Sequence, residues 1–252
     1  MSKSSRLTLA TLTVLTILLI GVWSALLFTP QQKALSVSFL NAGQGDSIFI
    51  ESPSGTQVLI DAGGNRAVLR ELNGVISWFD RSLDIALATH FDQDHIGGFP
   101  DVFSRYAVSR IVYSSVKDDG SDARTFEKAV SRETEDGASE MVGVRGQVLD
   151  LGAGARLEIL FPDRSVPDIE TNTGSLVTRL VYGDTSFLLT GDAPSSIEEY
   201  LVRLDGKRLQ ADVLKAGHHG SRTSSSEVFV SAVNPQFAVI SRGCDNRYGH
   251  PH

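Results

Sequence analysis

Six histidines carry most of the chemistry open to this chain: His90, His95, His218, His219, His250 and His252. None falls on an apolar helix face or inside a strand-like run. His90 and His95 bracket two carboxylates in His90-Phe91-Asp92-Gln93-Asp94-His95, four ligand-type side chains in six positions. A single histidine is more often a surface or core residue than a ligand, and the clustering reverses that expectation. Imidazole and carboxylate together suit zinc or manganese rather than calcium. On an extended turn, residues two apart point the same way, so His90 and Asp92 can grip one cation. Asp94 and His95 then turn toward a second, and Gly97-Gly98 lets the backbone pass close beneath.

Two further segments end an apolar run in polar groups. Phe187-Leu188-Leu189-Thr190-Gly191-Asp192 delivers a carboxylate; taken alone, Asp192 before Ala193-Pro194 reads as a turn or helix-cap residue. Asp212-Val213-Leu214-Lys215-Ala216-Gly217-His218-His219-Gly220-Ser221 delivers two adjacent histidines, which alone would read as an exposed polar turn.

These groups need strands to carry them. Leu35, Val37 and Phe39 alternate with serines at the period of a half-buried strand. Ser47–Glu51 and Thr56–Asp61 follow as strands around the turn Ser52-Pro53-Ser54-Gly55. Apolar positions in Ala67–Phe79 have helical spacing, and Leu83–Thr89 is the strand that presents the His-rich loop. Ala107–Tyr113 reads as a strand and Thr125–Arg132 as a helix, the rest of residues 114–140 as a polar, exposed excursion. Gln147–Leu151, Arg156–Phe161, Ser175–Tyr182 and Ser186–Thr190 read as strands, and Ser195–Leu204 as a helix behind Pro194. Asp212–Lys215, Ser224–Val233 and Phe237–Ser241 read as strand, helix and strand. Clustered strands with single helices between them predict two sheets packed face to face with helices outside.

Composition adds a membrane expectation. Leu7–Phe28 is 22 residues without a charge, about 33 Å as a helix, the length of a membrane span. A cleaved signal peptide is the alternative, but Trp23-Ser24-Ala25 fits a cleavage site poorly. Lys3 and Arg6 precede the run and only Lys33 follows closely, which places residues 1–6 in the cytoplasm. The expected organisation is a single-pass anchor at 7–28 in the cytoplasmic membrane, a linker at 29–34, and a catalytic domain at 35–252 outside the cytoplasm. No closing helix or strand precedes His252, which leaves C-terminal truncation open. Beyond Arg6 the chain carries 21 basic and 30 acidic side chains, arguing against a broad nucleic-acid surface. Cys244 is the only cysteine, excluding an intramolecular disulfide and a thiolate zinc cluster.

The ordered set H-x-D-x-D-H-x-G-G, L-T-G-D and G-H-H-G-S resembles the metallo-β-lactamase superfamily, and most of all the C-terminal hydrolase domain of ComEC-type DNA-uptake competence proteins. Val37–Ser47, Val58–Gly63, Asn172–Val177, Tyr182–Asp192 and Asn246–Pro251 add to the likeness, which covers most of residues 35–252. The resemblance implies an α/β αββα sandwich with the site at one edge of both sheets and two divalent ions, Zn2+ or Mn2+. Asp192 would bridge them, with His90, Asp92, Asp94 and His95 as further ligands. One of His218 and His219, with His219 favoured, would ligate the second ion while the other faces substrate. Asp46 and Asp61 resemble the family's structural acids, Asp61 orienting a ligand histidine. No histidine lies between His95 and His218; Asn172 and Ser175 occupy that segment, so the first ion's site is poor in nitrogen and expected to be weak. The multi-span channel of the competence proteins is absent from this sequence.

The expected activity is that of a phosphodiesterase or nuclease acting on a phosphodiester or nucleic-acid substrate. Asp94, Asp192 and His218 are then the catalytic candidates, with Lys215, Ser221 and His250 as candidate substrate contacts. Two other readings stand beside it: a hydrolase of cell-envelope phosphoesters, and a non-catalytic metal-binding module. No motif identifies a protein partner.

Overall fold

The structure is a computed structural model that describes residues 3–28, 34–244 and 246–252. Two units divide after Lys33. The first holds helix α1 (Lys3–Phe28), in which the hydroxyls of Thr8, Thr13 and Thr16 donate to carbonyls four residues earlier. Among the described residues no helix is long and apolar enough to cross a membrane. The expected anchor is therefore not carried by the structure, and the linker at 29–33 lies outside the described residues.

The body, Ala34–His252, is a four-layer sandwich. Its first sheet is ordered β1 (Ser36–Phe39), β2 (Ile48–Glu51), β3 (Gln57–Ile60), β4 (Ser82–Ala88), β5 (Ala107–Tyr113) and β6 (Ser139–Val142). The second runs β12 (Phe237–Val239), β11 (Val213–Lys215), β10 (Thr185–Leu189), β9 (Val177–Tyr182), β8 (Arg156–Phe161) and β7 (Val148–Asp150). Each sheet joins an antiparallel meander to a parallel part: β3 to β6 in one, β10 to β12 in the other.

Period-2 alternation explains the layering. Ile48, Ile50, Val58 and Ile60 face Leu157, Ile159, Leu180 and Leu189 between the sheets. Phe49, Leu59 and Ala86 face outward onto α2 (Val68–Val75), α4 (Phe99–Phe103) and α5 (Ser121–Glu135). Leu188 and Leu214 pack under α6 (Ser195–Asp205) and α7 (Glu227–Val233).

The expected exposed excursion at 114–140 is corrected. α5 begins four residues before the expected helix, and Ala123, Phe126, Ala129 and Val130 line its buried face. The Phe126 ring lies 5.5–5.6 Å from those of Phe91 and Phe99. Ser139–Val142 is a sixth strand, parallel to β5; its burial pattern is mostly exposed, so as an edge strand it lacks the apolar alternation that would announce it.

Candidate metal centre

The chemical groups collect where the parallel strands end, the usual place for a site in such sheets. Asp61 follows β3, His90 follows β4, Asp192 follows β10, and His218 and His219 follow β11. The short helix α3 (Gln93–Ile96) carries Asp94 and His95, and Asp46 comes from the loop between β1 and β2. Three of these residues hold left-handed backbone: Asp61 (φ 56°), His218 (φ 48°) and His219 (φ 55°). Such conformations are costly for non-glycine residues and persist where surrounding structure enforces them.

Three histidines present a lone pair to the same space. The Nδ1–H of His95 donates to Asp61 Oδ2 at 2.7 Å, and the Nδ1–H of His219 donates to the Ser241 carbonyl at 3.0 Å. Thr89 spends its hydroxyl proton on Asp61 Oδ2 (2.7 Å), so the hydroxyl oxygen accepts from His90 Nδ1 at 3.0 Å. In each ring Nε2 is the nitrogen turned toward the shared space, the arrangement by which ligand histidines are oriented. His90 Nε2 is buried with no hydrogen-bond partner.

Three ligand atoms converge, with a fourth beside one of them. His95 Nε2 and His219 Nε2 are 3.3 Å apart, and Asp192 Oδ2 is 3.3 Å from both. Asp94 Oδ2 lies 3.3 Å from His219 Nε2. A tetrahedral zinc site with bonds of about 2.0–2.1 Å has ligand–ligand edges of about 3.3–3.4 Å. The residues fit a divalent ion. Asp46 also brings an oxygen within 4.8 Å of atoms of His95, Asp192 and His219. It stands on the other side of the rings, 3.9 Å from His95 Nδ1 and 3.5 Å from His219 Nδ1. Asp46 therefore braces the rings from the Nδ1 side, and Asp94 approaches His219 from the Nε2 side.

Charge balance agrees. Burial works against a charged His219, yet hydrogen bonds to Asp192, Asp46 and Asp94 outweigh it and push its pKa up to about 11. Burial likewise opposes charge on His95, and Asp192 and Asp61 raise it well above the usual histidine value. Asp192, despite burial, is held well below the carboxylate range by His95, Lys215 and His219. The site thus favours positive charge. His90 is the contrast: burial first, then His95, push it down to about 3, leaving it neutral.

The second half of the site is looser. His90 Nε2 is 3.8 Å from Asp92 Oδ2, and the His90 and His95 rings are 4.1 Å apart. Asp92 accepts from Thr171 Oγ1 at 2.6 Å. Asn172 Oδ1 is buried without a partner, and Ser175 Oγ accepts from the Asp192 backbone N–H at 3.3 Å.

Lys215 is not at the substrate face. Its fully buried ammonium pairs with Asp46, donates to the Gly191 carbonyl at 2.8 Å, and lies 3.5 Å from Asp192 Oδ1. His218 sits at the rim: its side chain is 29% exposed, with Nε2 3.8 Å from Asp192 Oδ2 and Nδ1 3.0 Å from Thr223 Oγ1. Ser221 Oγ, 3.0 Å from the same hydroxyl, belongs to that turn. His250 lies 6.1 Å from the His218 ring, in a tail pinned where His252 N–H donates to the Gly220 carbonyl at 3.0 Å.

A cleft of about 610 Å³ opens on Asp92 and Asp94, walled by Gln44, Asn65, Asp118, Asp122, Arg247 and Tyr248. Sequence reasoning missed Thr89, Thr171 and the Ser241 carbonyl, which hold the ligands, and Gly45, whose bare Cα lets Asp94 approach. Their side chains carry no distinctive spacing, and a carbonyl carries no residue identity at all.

Residues 40–243 match the profile of the Metallo-beta-lactamase superfamily. The chain belongs to it. The solved family fold YhfI from Bacillus subtilis superposes with a TM-score of 0.56 at 13% identity, over 86% of this chain and 90% of that one. Among curated relatives, ComE operon protein 3 of Bacillus subtilis is 34% identical over 238 residues, 86% of this chain and 29% of that protein. Competence protein ComA of Neisseria gonorrhoeae is 34% identical, covering 88% of this chain and 29% of its own length. Recombination protein 2 of Haemophilus influenzae is 32% identical, covering 91% and 27%. The resemblance to competence proteins of the ComEC type holds, and the chain spans under a third of the length of these relatives. Family fold and Asp/His cluster together point to a metal-dependent hydrolase.

Proposed function

We propose that this chain is a membrane-anchored, metal-dependent phosphodiesterase or nuclease whose catalytic domain lies outside the cytoplasm. The observation that carries the reading is the mutual 3.3 Å spacing of His95, His219 and Asp192, with Asp94 3.3 Å from His219, beside a cleft large enough for an extended ester. The competence relatives support a nucleic-acid substrate, and the uncharged run Leu7–Phe28 supports anchoring.

Asp94, His95, Asp192 and His219 would hold one divalent ion, Zn2+ or Mn2+; His90 and Asp92, sharing Asp192, would hold a second and weaker one. Bound ions supply Lewis-acid activation of water near neutral pH and neutralise charge developing on a phosphoryl oxygen. Asp61 and the Ser241 carbonyl keep the Nε2 atoms of His95 and His219 aimed inward. Lys215 and Ser175 hold Asp192 from behind. His218, held by Thr223 and open to solvent, would pass a proton to the leaving oxygen. The test is hydrolysis of single-stranded DNA and of bis-p-nitrophenyl phosphate by EDTA-stripped, metal-replenished protein. Activity on neither ends the proposal.

One observation favours a shorter substrate, such as a cell-envelope phosphoester. Asp118 and Asp122 stand in the cleft wall with Arg247 as its single arginine, a lining that repels a long polyanion. Binding of a nucleic-acid strand falls steeply with salt, and that of a small ester barely changes.

A further inference from the structure

Glu198, on α6, is fully buried, and no lysine, arginine or histidine pairs with it among the described residues. Burying a carboxylate without a counter-ion is costly, and its oxygens must be met by other donors. Both donors are backbone N–H groups of one loop: Ser225 N–H donates to Oε1 at 2.5 Å and Ser226 N–H to Oε2 at 2.9 Å. Burial raises the pKa of Glu198, and these two bonds act against the rise. They hold a strained segment. Ser225 has left-handed backbone at φ 58°, costly for a non-glycine residue. One turn before Glu198, Ser195 N–H and Oγ–H both donate to the Thr223 carbonyl, at 2.8 and 2.9 Å. Ser224 Oγ donates to the Ala193 carbonyl at 2.8 Å. Each residue from Thr223 to Ser226 is thus tied to the segment 193–198, which begins directly after Asp192.

The same loop carries the histidine turn. Ser225 Oγ accepts from the Gly217 N–H at 2.9 Å, and Thr223 Oγ1 lies 3.0 Å from His218 Nδ1. Ser224 N–H donates to the Ser221 carbonyl at 3.2 Å. A Cβ at Gly217 would fall 2.8 Å from that of Ser224 and 3.4 Å from Glu198 Oε1, so the turn rests directly on the loop and its acid. From Gly217 the left-handed pair His218 and His219 brings His219 Nε2 to 3.3 Å from Asp192 Oδ2. A closed circuit therefore runs from Asp192 along the first turn of α6 to Glu198. It continues through Ser225 and Gly217 to His219 and returns to Asp192.

We propose that Glu198 is a positioning residue of the metal centre: by clamping Ser225 and Ser226 it fixes the Gly217–His219 turn against Asp192 and sets the spacing of these two ligands. This rests on the metal-binding part of the reading above and not on its substrate. Without the clamp, Ser225 is free to leave its left-handed conformation, and Gly217 loses the acceptor that holds it. An acid that only closed the loop would change unfolding alone; one that serves the centre changes how the ion is held.

The test uses the full chain with Zn2+ and Co2+ as probes. Glu198→Ala, with its fold verified by circular dichroism, should bind Zn2+ 10–100-fold more weakly in competition with a chromophoric chelator. The visible absorption of its Co2+-loaded form should shift, because the His219 nitrogen is re-aimed. Glu198→Gln keeps one acceptor oxygen and should recover part of the affinity. Ser225→Gly keeps the left-handed backbone and removes the hydroxyl; its loss should add less than fully to that of Glu198→Ala, since both break one route. Glu133→Gln is the control, a buried carboxylate that accepts from Val108 N–H at 3.2 Å, at the end of β5 remote from the centre. It should bind Zn2+ like the wild type. Wild-type affinity and an unshifted Co2+ spectrum in folded Glu198→Ala overturn the proposal. So does an equal loss in Glu133→Gln, or strict additivity with Ser225→Gly. If Glu198→Ala does not fold, wild-type values in both Glu198→Gln and Ser225→Gly overturn it. A wild-type chain that binds no Zn2+ ends this proposal and the functional reading together. One that binds Zn2+ but hydrolyses neither ester ends the functional reading alone.

Discussion

The Nε2 atoms of His95 and His219, 124 residues apart in the chain, lie 3.3 Å from one another. Two imidazoles aimed at one point from different sheets, with Asp192 Oδ2 equally close to both, are stable only if something positive sits between them. The surrounding carboxylates push both imidazoles toward the charged form, so a metal ion and protons compete for the same nitrogens.

Proton release follows from the sign of the shifts. His219 titrates near 11 and His95 well above its usual value, so both are charged at pH 7–8 without metal. The stability they contribute is full below about pH 6.5 and is lost only as pH rises through the raised values. The ion held by His95 and His219 should release close to two protons, and its affinity should climb with pH across the neutral range. Calorimetry in buffers of different ionisation enthalpy measures this; no buffer dependence would refute the assignment.

Asp61→Asn keeps a residue that tolerates the left-handed backbone at φ 56° but removes the charged acceptor of His95 Nδ1. Metal affinity is expected to fall 10–100-fold, read by competition with a chromophoric chelator, with the fold intact by circular dichroism.

Lys215→Met leaves Asp46 and Asp192 buried without their cation. A loss of about 3–5 kcal/mol is expected for the metal-free protein, measured by urea unfolding. Adding Asp46→Asn should return part of it; strict additivity of the two changes would argue against direct pairing.

Gly45→Ala tests close approach. A Cβ at Gly45, where φ is +111°, would fall 1.8 Å from the Asp94 carbonyl oxygen. The clash must move α3, so metal affinity should drop about 10-fold or more; unchanged affinity would show that Asp94 is not held by this contact.

The layered fold was legible because the alternation of Leu35, Val37 and Phe39 with serines and the short apolar runs of β2, β3 and β4 are internal properties of each segment, readable without neighbours. The ligand loop was legible because four ligand-type residues within six positions have no structural reason to cluster. Asp61 and Asp46 were placed near the site through family resemblance, since nothing local distinguishes either from a turn aspartate. The strand Ser139–Val142 escaped, because an edge strand needs no apolar alternation, and Phe126 was lost in a polar surrounding whose buried face appears only once α5 is wound.

What the amino-acid order determined by itself is therefore the inventory: the strands other than Ser139–Val142, and that His90–His95, Asp192 and His218–His219 end them as polar groups. Only tertiary structure decided the division of labour. It turned Asp46 to the Nδ1 side of the rings and Asp94 to the Nε2 side, and it buried Lys215 behind Asp192 instead of facing it to substrate. It also selected His219 over His218 as the inward imidazole. The physical reason is that a lone pair's direction is set by the hydrogen bond on the opposite ring nitrogen. Those partners, Asp61 for His95 and the Ser241 carbonyl for His219, come from distant parts of the chain that meet only when the sheets have formed.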